Sequence, residues 1–240
     1  MKKVPLNKLL KKQGSRINFK KSIDFMNFAL DTNYIYHFNW FGVKLIQFPS
    51  DIMMLQNIIY DSKPDVIIEC GVAHGGSLIF YSSMLRLLGK KNYKVIGIDI
   101  LIKKKNKRKI KLNPLSKEVV LIEKSSTSPE LKSILKKYLK PNKKIMVVLD
   151  SNHTHQHVLD ELNFYSSYIK KNQFIVVLDT NIEFIASRHI NKGRAFKKGN
   201  SPYTAAKQFL ETNKKFKNIK KYENMAMVSS AYNGILKRII

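Results

Sequence analysis

Val66-Ile67-Ile68-Glu69-Cys70-Gly71-Val72-Ala73-His74-Gly75-Gly76-Ser77 is the stretch that decides the fold. An apolar, β-branched run ends in a glycine-rich turn, and a helical pattern follows from about Ser77 to Leu88. That order predicts a buried strand, a turn and a helix, the first half of a βαβ unit. Glycines at the carboxyl end of a first strand let the backbone approach a ligand, and the next helix presents free N–H groups there. The spacing E-x-G-x-x-x-G-G-S is not the three-glycine dinucleotide fingerprint. Glu69, just before the turn, would repel a pyrophosphate and suits a cationic or amino-bearing ligand. The reading therefore tilts from NAD toward S-adenosylmethionine, whose aminoacyl and sulfonium groups carry positive charge.

Working outward, strands are predicted at Tyr93 to Asp99, Val119 to Glu123, Ile145 to Asp150 and Phe174 to Asp179. Helices are predicted at Leu131 to Leu139, His157 to Ile169 and Tyr203 to Glu211. Short strands alternating with helices indicate an α/β protein with a largely parallel sheet. Phe216 to Tyr222 and Met225 to Tyr232 then predict two adjacent strands with no helix between them, an antiparallel pair at the sheet edge. Two regions are expected. Residues 1–50 form a basic, partly helical N-terminal segment, patterned around Ile17 to Leu30. Residues 51–240 form the ligand-binding domain. The lysine-rich stretch 103–111 reads as a solvated loop or helix face.

Composition narrows the function without naming it. The chain has 240 residues, 44% hydrophobic, with 44 Lys+Arg against 17 Asp+Glu and a formal charge of +27. A large core is expected and global disorder is not. The charge points toward a polyanion, yet only six of the 44 are Arg, the residue that phosphate and base recognition favour. Abundant Lys, Ile and Asn together suggest compositional drift, so nucleic acid is not expected as the main partner. Cys70, the single cysteine, excludes an internal disulfide or a cysteine-rich zinc site; it reads as a small core residue. Met1-Lys2-Lys3 opens like a signal peptide, but Lys8, Lys11 and Lys12 interrupt any apolar continuation. No run approaches the roughly 18 to 20 apolar residues of a membrane span. A soluble, cytoplasmic protein is expected, with peripheral membrane contact left open.

Three further acids end strands. Asp99 closes Val95-Ile96-Gly97-Ile98-Asp99, where an acceptor suits the two hydroxyls of a ribose. Asp150 opens Asp150-Ser151-Asn152-His153-Thr154-His155-Gln156-His157, and Asp179 follows Leu178. Carboxyl ends of adjacent parallel strands converge on one crevice, so Asp150 and Asp179 could meet there on Mg²⁺. His153 would stand beside them as a general base for a hydroxyl. A rival reading joins Asp150 to two of the three histidines as an iron site. His155 and His157 read more simply as partly exposed residues of a helix's first turn.

At these residues the chain resembles the cephalosporin hydroxylase family, whose members look like S-adenosylmethionine-dependent O-methyltransferases with relatives acting on rhamnosyl groups. The matching stretches are Trp40-Phe41-Gly42, Pro49-Ser50-Asp51, Lys63-Pro64-Asp65 through Ser77, Gly97-Ile98-Asp99, Leu149 through His155, Asp179-Thr180, and Asn233-Gly234 with Leu236-Lys237-Arg238. The resemblance implies a Rossmann-like class I methyltransferase fold. Such a fold has a seven-stranded, mostly parallel sheet with an antiparallel C-terminal hairpin and helices on both faces. It also implies that Glu69, Gly71, Gly75, Gly76, Ser77 and Asp99 surround the cofactor, with Asp150 beside it. Asp150 and Asp179 would hold Mg²⁺, and His153 matches the base. One departure matters: a Glu expected before Asp179 is Leu178 here, which should weaken the metal site.

The resemblance implies methyl transfer to a hydroxyl of a sugar or glycan-type small molecule, with a homo-oligomer as a common form. Acceptor contacts are expected from residues 1–50 and 183–203. Within the first segment, Tyr34, Tyr36, Phe38 and Trp40 read either as acceptor wall or as ordinary packing. Rival functions are an RNA- or polyanion-binding module on the same fold, a nucleotide-dependent oxidoreductase, and an iron-dependent hydroxylase.

Overall fold

A computed structural model describes residues 16–190 and 193–240. Most of the lysine-rich N-terminal run lies outside the described residues. Helix α1 (Arg16–Asp31) leads to a small hairpin, β1 (Asn39–Trp40) and β2 (Val43–Lys44), and then to α2 (Pro49–Ser62). The expected α/β alternation follows: β3 (Val66–Cys70), α3 (Gly76–Leu87), β4 (Lys94–Asp99), α4 (Lys104–Leu112), β5 (Val119–Glu123) and α5 (Leu131–Lys136). It continues with β6 (Ile145–Leu149), α6 (His155–Ser166), β7 (Phe174–Val177) and α7 (Pro202–Thr212). The chain closes with β8 (Phe216–Asn218), α8 (Lys220–Ala226) and β9 (Ile235–Arg238).

The seven-stranded sheet runs β5-β4-β3-β6-β7-β9-β8. The five strands from β5 at one edge to β7 are parallel, while β9 is antiparallel to both β7 and β8. Strand parity builds two cores. Ile67, Met146, Val148 and Val176 face α2, α3 and α8, and pack with Leu55, Ile79 and Tyr222. Ile68, Cys70, Val147 and Val177 face α5, α6 and α7, and pack with Leu131, Leu162 and Phe209. Both strand faces are therefore buried, which is why these strands read as continuous apolar runs. Cys70 is fully buried, as expected.

The edge differs from expectation. The antiparallel pair exists, but its second strand is Ile235–Arg238 rather than Met225 to Tyr232, and α8 stands between. Tyr222 and Ala226 are spaced i, i+4, which puts both on one helical face, and both pack on the first core. A short apolar run does not distinguish that face from a strand. Smaller shifts are that α5 stops at Lys136, short of Leu139, and that α6 starts two residues early at His155. The lysine stretch forms a helix whose Asn106 and Ile110 are buried.

Candidate active site

From β3, connections lead to β4 and β5 on one side, whereas β6 and β7 lie on the other. A crevice forms at such a reversal, outside the strand carboxyl ends. A cavity of about 570 Å³ opens there, walled by the turn 71–77, Asp99, Ser125–Ser126, Asp150–His153 and Asp179. Residues 44–48 cover it from the hairpin side.

The turn needs its glycines for space. Gly71 has φ +93°, and a Cβ there would lie 1.9 Å from the Asp150 carbonyl oxygen. Only glycine lets the ends of β3 and β6 come this close, with the Asp150 N–H donating to the Cys70 carbonyl at 2.8 Å. At Gly76 a Cβ would lie 2.4 Å from the Lys44 carbonyl oxygen, so glycine admits the hairpin over the start of α3. Gly75 and Ser77 also line the cavity.

Asp99 reaches the wall, and its carboxylate also ties down the loop. Oδ2 accepts from the Val72 N–H at 2.8 Å, and Oδ1 from the Leu101 N–H at 3.1 Å. Two carboxylate oxygens offer about four acceptor sites, which leaves room for ligand hydroxyls.

Glu69 is placed differently from the rest. Parity along β3 turns its side chain toward α3, beneath the turn and out of the cavity wall. There it is fully buried, accepting from the Ser77 hydroxyl at 2.6 Å and the Tyr81 hydroxyl at 3.0 Å. Burial pushes its pKa up to about 8, with the Asp99 charge adding to the shift. Glu69 thus supports the turn from below and is not among the residues that line the cavity.

Asp150, His153 and Asp179 do converge. One ligand atom from each lies within 4.8 Å of the others, and His153 Nε2 is 3.3 Å from Asp179 Oδ2. Asp179 adopts a left-handed φ of 54°, starting the 3₁₀ turn Thr180–Glu183 as the chain leaves β7. Asp tolerates that region better than most residues. Leu178 follows strand parity into the first core and is 1% exposed. Burial holds the Asp150 carboxyl well above the usual range, reinforced by the charges of Asp179, Glu69, Asp51 and Glu161. Gln47 Nε2 donates to Asp150 Oδ2 at 3.0 Å.

The iron arrangement is not assembled. His155 is turned to α7, with Nδ1 2.8 Å from the Thr204 hydroxyl and Nε2 2.9 Å from Gln208 Oε1. Glu183, a conceivable extra ligand, is committed to the Gly199 N–H at 3.0 Å and the Ser201 hydroxyl at 2.6 Å. Of the early aromatics, Tyr36 lines the cavity. Trp40 packs on Phe80 with ring centres 5.0 Å apart and donates to the Ser83 hydroxyl at 3.0 Å.

Several site residues escaped the sequence reading. Gln47 carried no signal. His157 is a partly exposed residue of the first turn of α6, as expected, and it also lines the cavity. Its Nε2 lies 3.0 Å from the Ser126 hydroxyl and 3.4 Å from Glu161 Oε1. Glu161 is fully buried and holds the His157 pKa above its ordinary value. The i, i+4 spacing of His157 and Glu161 was the available clue. Asp51, in a matched stretch but given no role, is buried and accepts from the Ser229 hydroxyl at 2.6 Å and the Ser230 N–H at 2.9 Å. Burial pushes its pKa up to about 6.

The profile of the Rhamnosyl O-methyltransferase/CmcI family matches residues 32–239. A rhamnosyl O-methyltransferase of Mycobacterium bovis is 28% identical over 204 residues, 83% of this chain and 77% of that one. Its counterpart in Mycobacterium leprae is 28% identical over 146 residues, spanning 60% of each chain. Among solved structures, CmcI with Mg and SAM has a TM-score of 0.58 at 16% identity, covering 85% of this chain and 78% of that one. That likeness is one of fold.

Proposed function

Because the chain belongs to the Rhamnosyl O-methyltransferase/CmcI family, we propose that it is an S-adenosylmethionine-dependent O-methyltransferase acting in the cytoplasm on a hydroxyl of a sugar or glycan-type small molecule. The observation that carries this reading is the single cavity that joins the glycine turn and Asp99 to Asp150, His153 and Asp179. A cofactor end and a proton-handling end share one space.

The residues fit the donor. Gly71, Gly75, Gly76 and Ser77 leave backbone within reach of its aminoacyl part, and Asp99 is an acceptor for ribose hydroxyls. Acidic walls suit a sulfonium. When bound, the donor supplies a methyl group already activated by positive sulfur. His153 would take the proton of the acceptor hydroxyl, freeing that oxygen to accept the methyl group, with the donor departing as a neutral thioether. The sulfonium makes the methyl reactive by itself, so the protein's share is orientation and proton removal.

The same end fits a divalent cation. Asp150 and Asp179 present oxygen donors close together, and the crowding that raises the Asp150 pKa is what a cation would relieve. In this proposal the two aspartates hold Mg²⁺, which would supply Lewis acidity toward the acceptor's hydroxyls.

The test is transfer of labelled methyl from S-adenosylmethionine to a panel of sugars, sugar nucleotides and glycolipids. His153→Ala should leave donor binding intact and lower turnover by about 10²- to 10⁴-fold. Normal turnover in that variant would remove His153 as the base.

A further inference from the structure

We propose that the acceptor carries an anionic group, a phosphate or a carboxylate, near the hydroxyl that is methylated, and that Arg194 holds it. The inference rests on the methyltransferase reading above and names the substrate class of the same site.

The cavity walls carry three carboxylates, Asp99, Asp150 and Asp179, together with the cations Lys44 and Arg194. The lysine and arginine ion pairs among the described residues all lie elsewhere. Each of the two cations is instead held over an aromatic ring. Lys44 Nζ is 5.7 Å from the Tyr36 ring centre, and Arg194 Cζ is 5.4 Å from that of Phe196. An aromatic face steadies a cation without neutralising it.

The donor has a single carboxylate, so it can satisfy one of these cations. Lys44 lies at the glycine-turn end, since its backbone carbonyl would be 2.4 Å from a Cβ added at Gly76. Arg194 stands on the other side. Phe196 presents its ring edge-on to His153, with centres 5.1 Å apart at 86°. The guanidinium therefore sits one ring away from the proposed base. Asp179, the nearest acid to that base, pairs with His153 and leaves Arg194 unneutralised.

Residue type supports the same reading. Lysine supplies 38 of the 44 cations, yet this position is arginine, whose planar fork matches phosphate and carboxylate oxygens two at a time. A neutral sugar would give that fork no charged partner.

The experiment is calorimetry on protein saturated with S-adenosylhomocysteine, titrated with inorganic pyrophosphate, rhamnose 1-phosphate, a hexuronate and neutral rhamnose. The anions should bind at least tenfold more tightly than rhamnose. Arg194→Ala should lose that advantage, Arg194→Lys should keep part of it, and Arg86→Ala, an exposed change on α3, should behave as wild type. A stronger response to the phosphates than to the hexuronate assigns a phosphorylated acceptor, and the reverse order assigns an acidic sugar. Pyrophosphate and hexuronate binding unchanged in Arg194→Ala would overturn the proposal while leaving the methyltransferase reading intact. Failure to bind S-adenosylhomocysteine at all would overturn both.

Discussion

Replacing Glu69 by Gln should change the pH dependence of stability in a calculable way. In the folded chain the Glu69 carboxyl is raised from an ordinary 4.5 to about 8, because it is buried under the turn with only two hydroxyl partners. The unfolded chain ionises this group from about pH 4.5 upward, while the folded chain keeps it neutral. Stability from this residue is thus full below 4.5 and is lost as pH rises toward 8. The slope is about 1.4 kcal/mol per pH unit, or roughly 3 kcal/mol between pH 5 and 7. For a chain of this size that corresponds to about 6 to 12 °C in Tm. Gln keeps the shape and an acceptor for Tyr81 but cannot ionise. Differential scanning calorimetry of both proteins from pH 5 to 8 isolates the effect, since every other titrating group is common to both. The wild-type Tm should fall relative to Glu69→Gln as pH rises. Parallel curves would refute the claim that Glu69 is buried and neutral.

Three other outcomes follow from the site. Asp99→Ala should weaken S-adenosylmethionine binding about 10- to 100-fold, the worth of a charge-assisted hydrogen bond, with the loop at Val72 loosening as measured by hydrogen exchange. Gly71→Ala should destabilise the fold by several kcal/mol, because its Cβ would lie 1.9 Å from a backbone oxygen at positive φ; chemical denaturation measures it, and a wild-type midpoint would show that β3 and β6 do not approach so closely. Exhaustive chelation should lower turnover and added Mg²⁺ should restore it, whereas undiminished activity would remove the cation from Asp150 and Asp179.

Much of this was legible in the chain because strand-ending residues announce themselves. Asp99, Asp150 and Asp179 each follow an apolar run, and parallel strands bring such ends to one edge whatever lies between. Glu69 stands beside the turn in the sequence, but its parity on β3 sends it under α3, a placement that sequence position alone does not give. His157 sits in a first helical turn as expected, but its partners Ser126 and Glu161 come from a separate loop and from the next helical turn, so its place in the cavity wall was not legible. Helix α8 was missed because seven residues carry too little periodicity to outweigh a strand reading. Gln47 and Arg194 reach the cavity from the two segments expected to supply acceptor contacts, but without a repeating pattern neither residue could be singled out there.

The abundance of lysine bears little on this account, and the placement of a few acids bears most of it. The most direct test of the central claim is a calorimetric titration of the purified protein with S-adenosylmethionine, run beside NAD. The account expects saturable one-site binding of the methyl donor and none of NAD. Silence with S-adenosylmethionine and clear binding of NAD would contradict it.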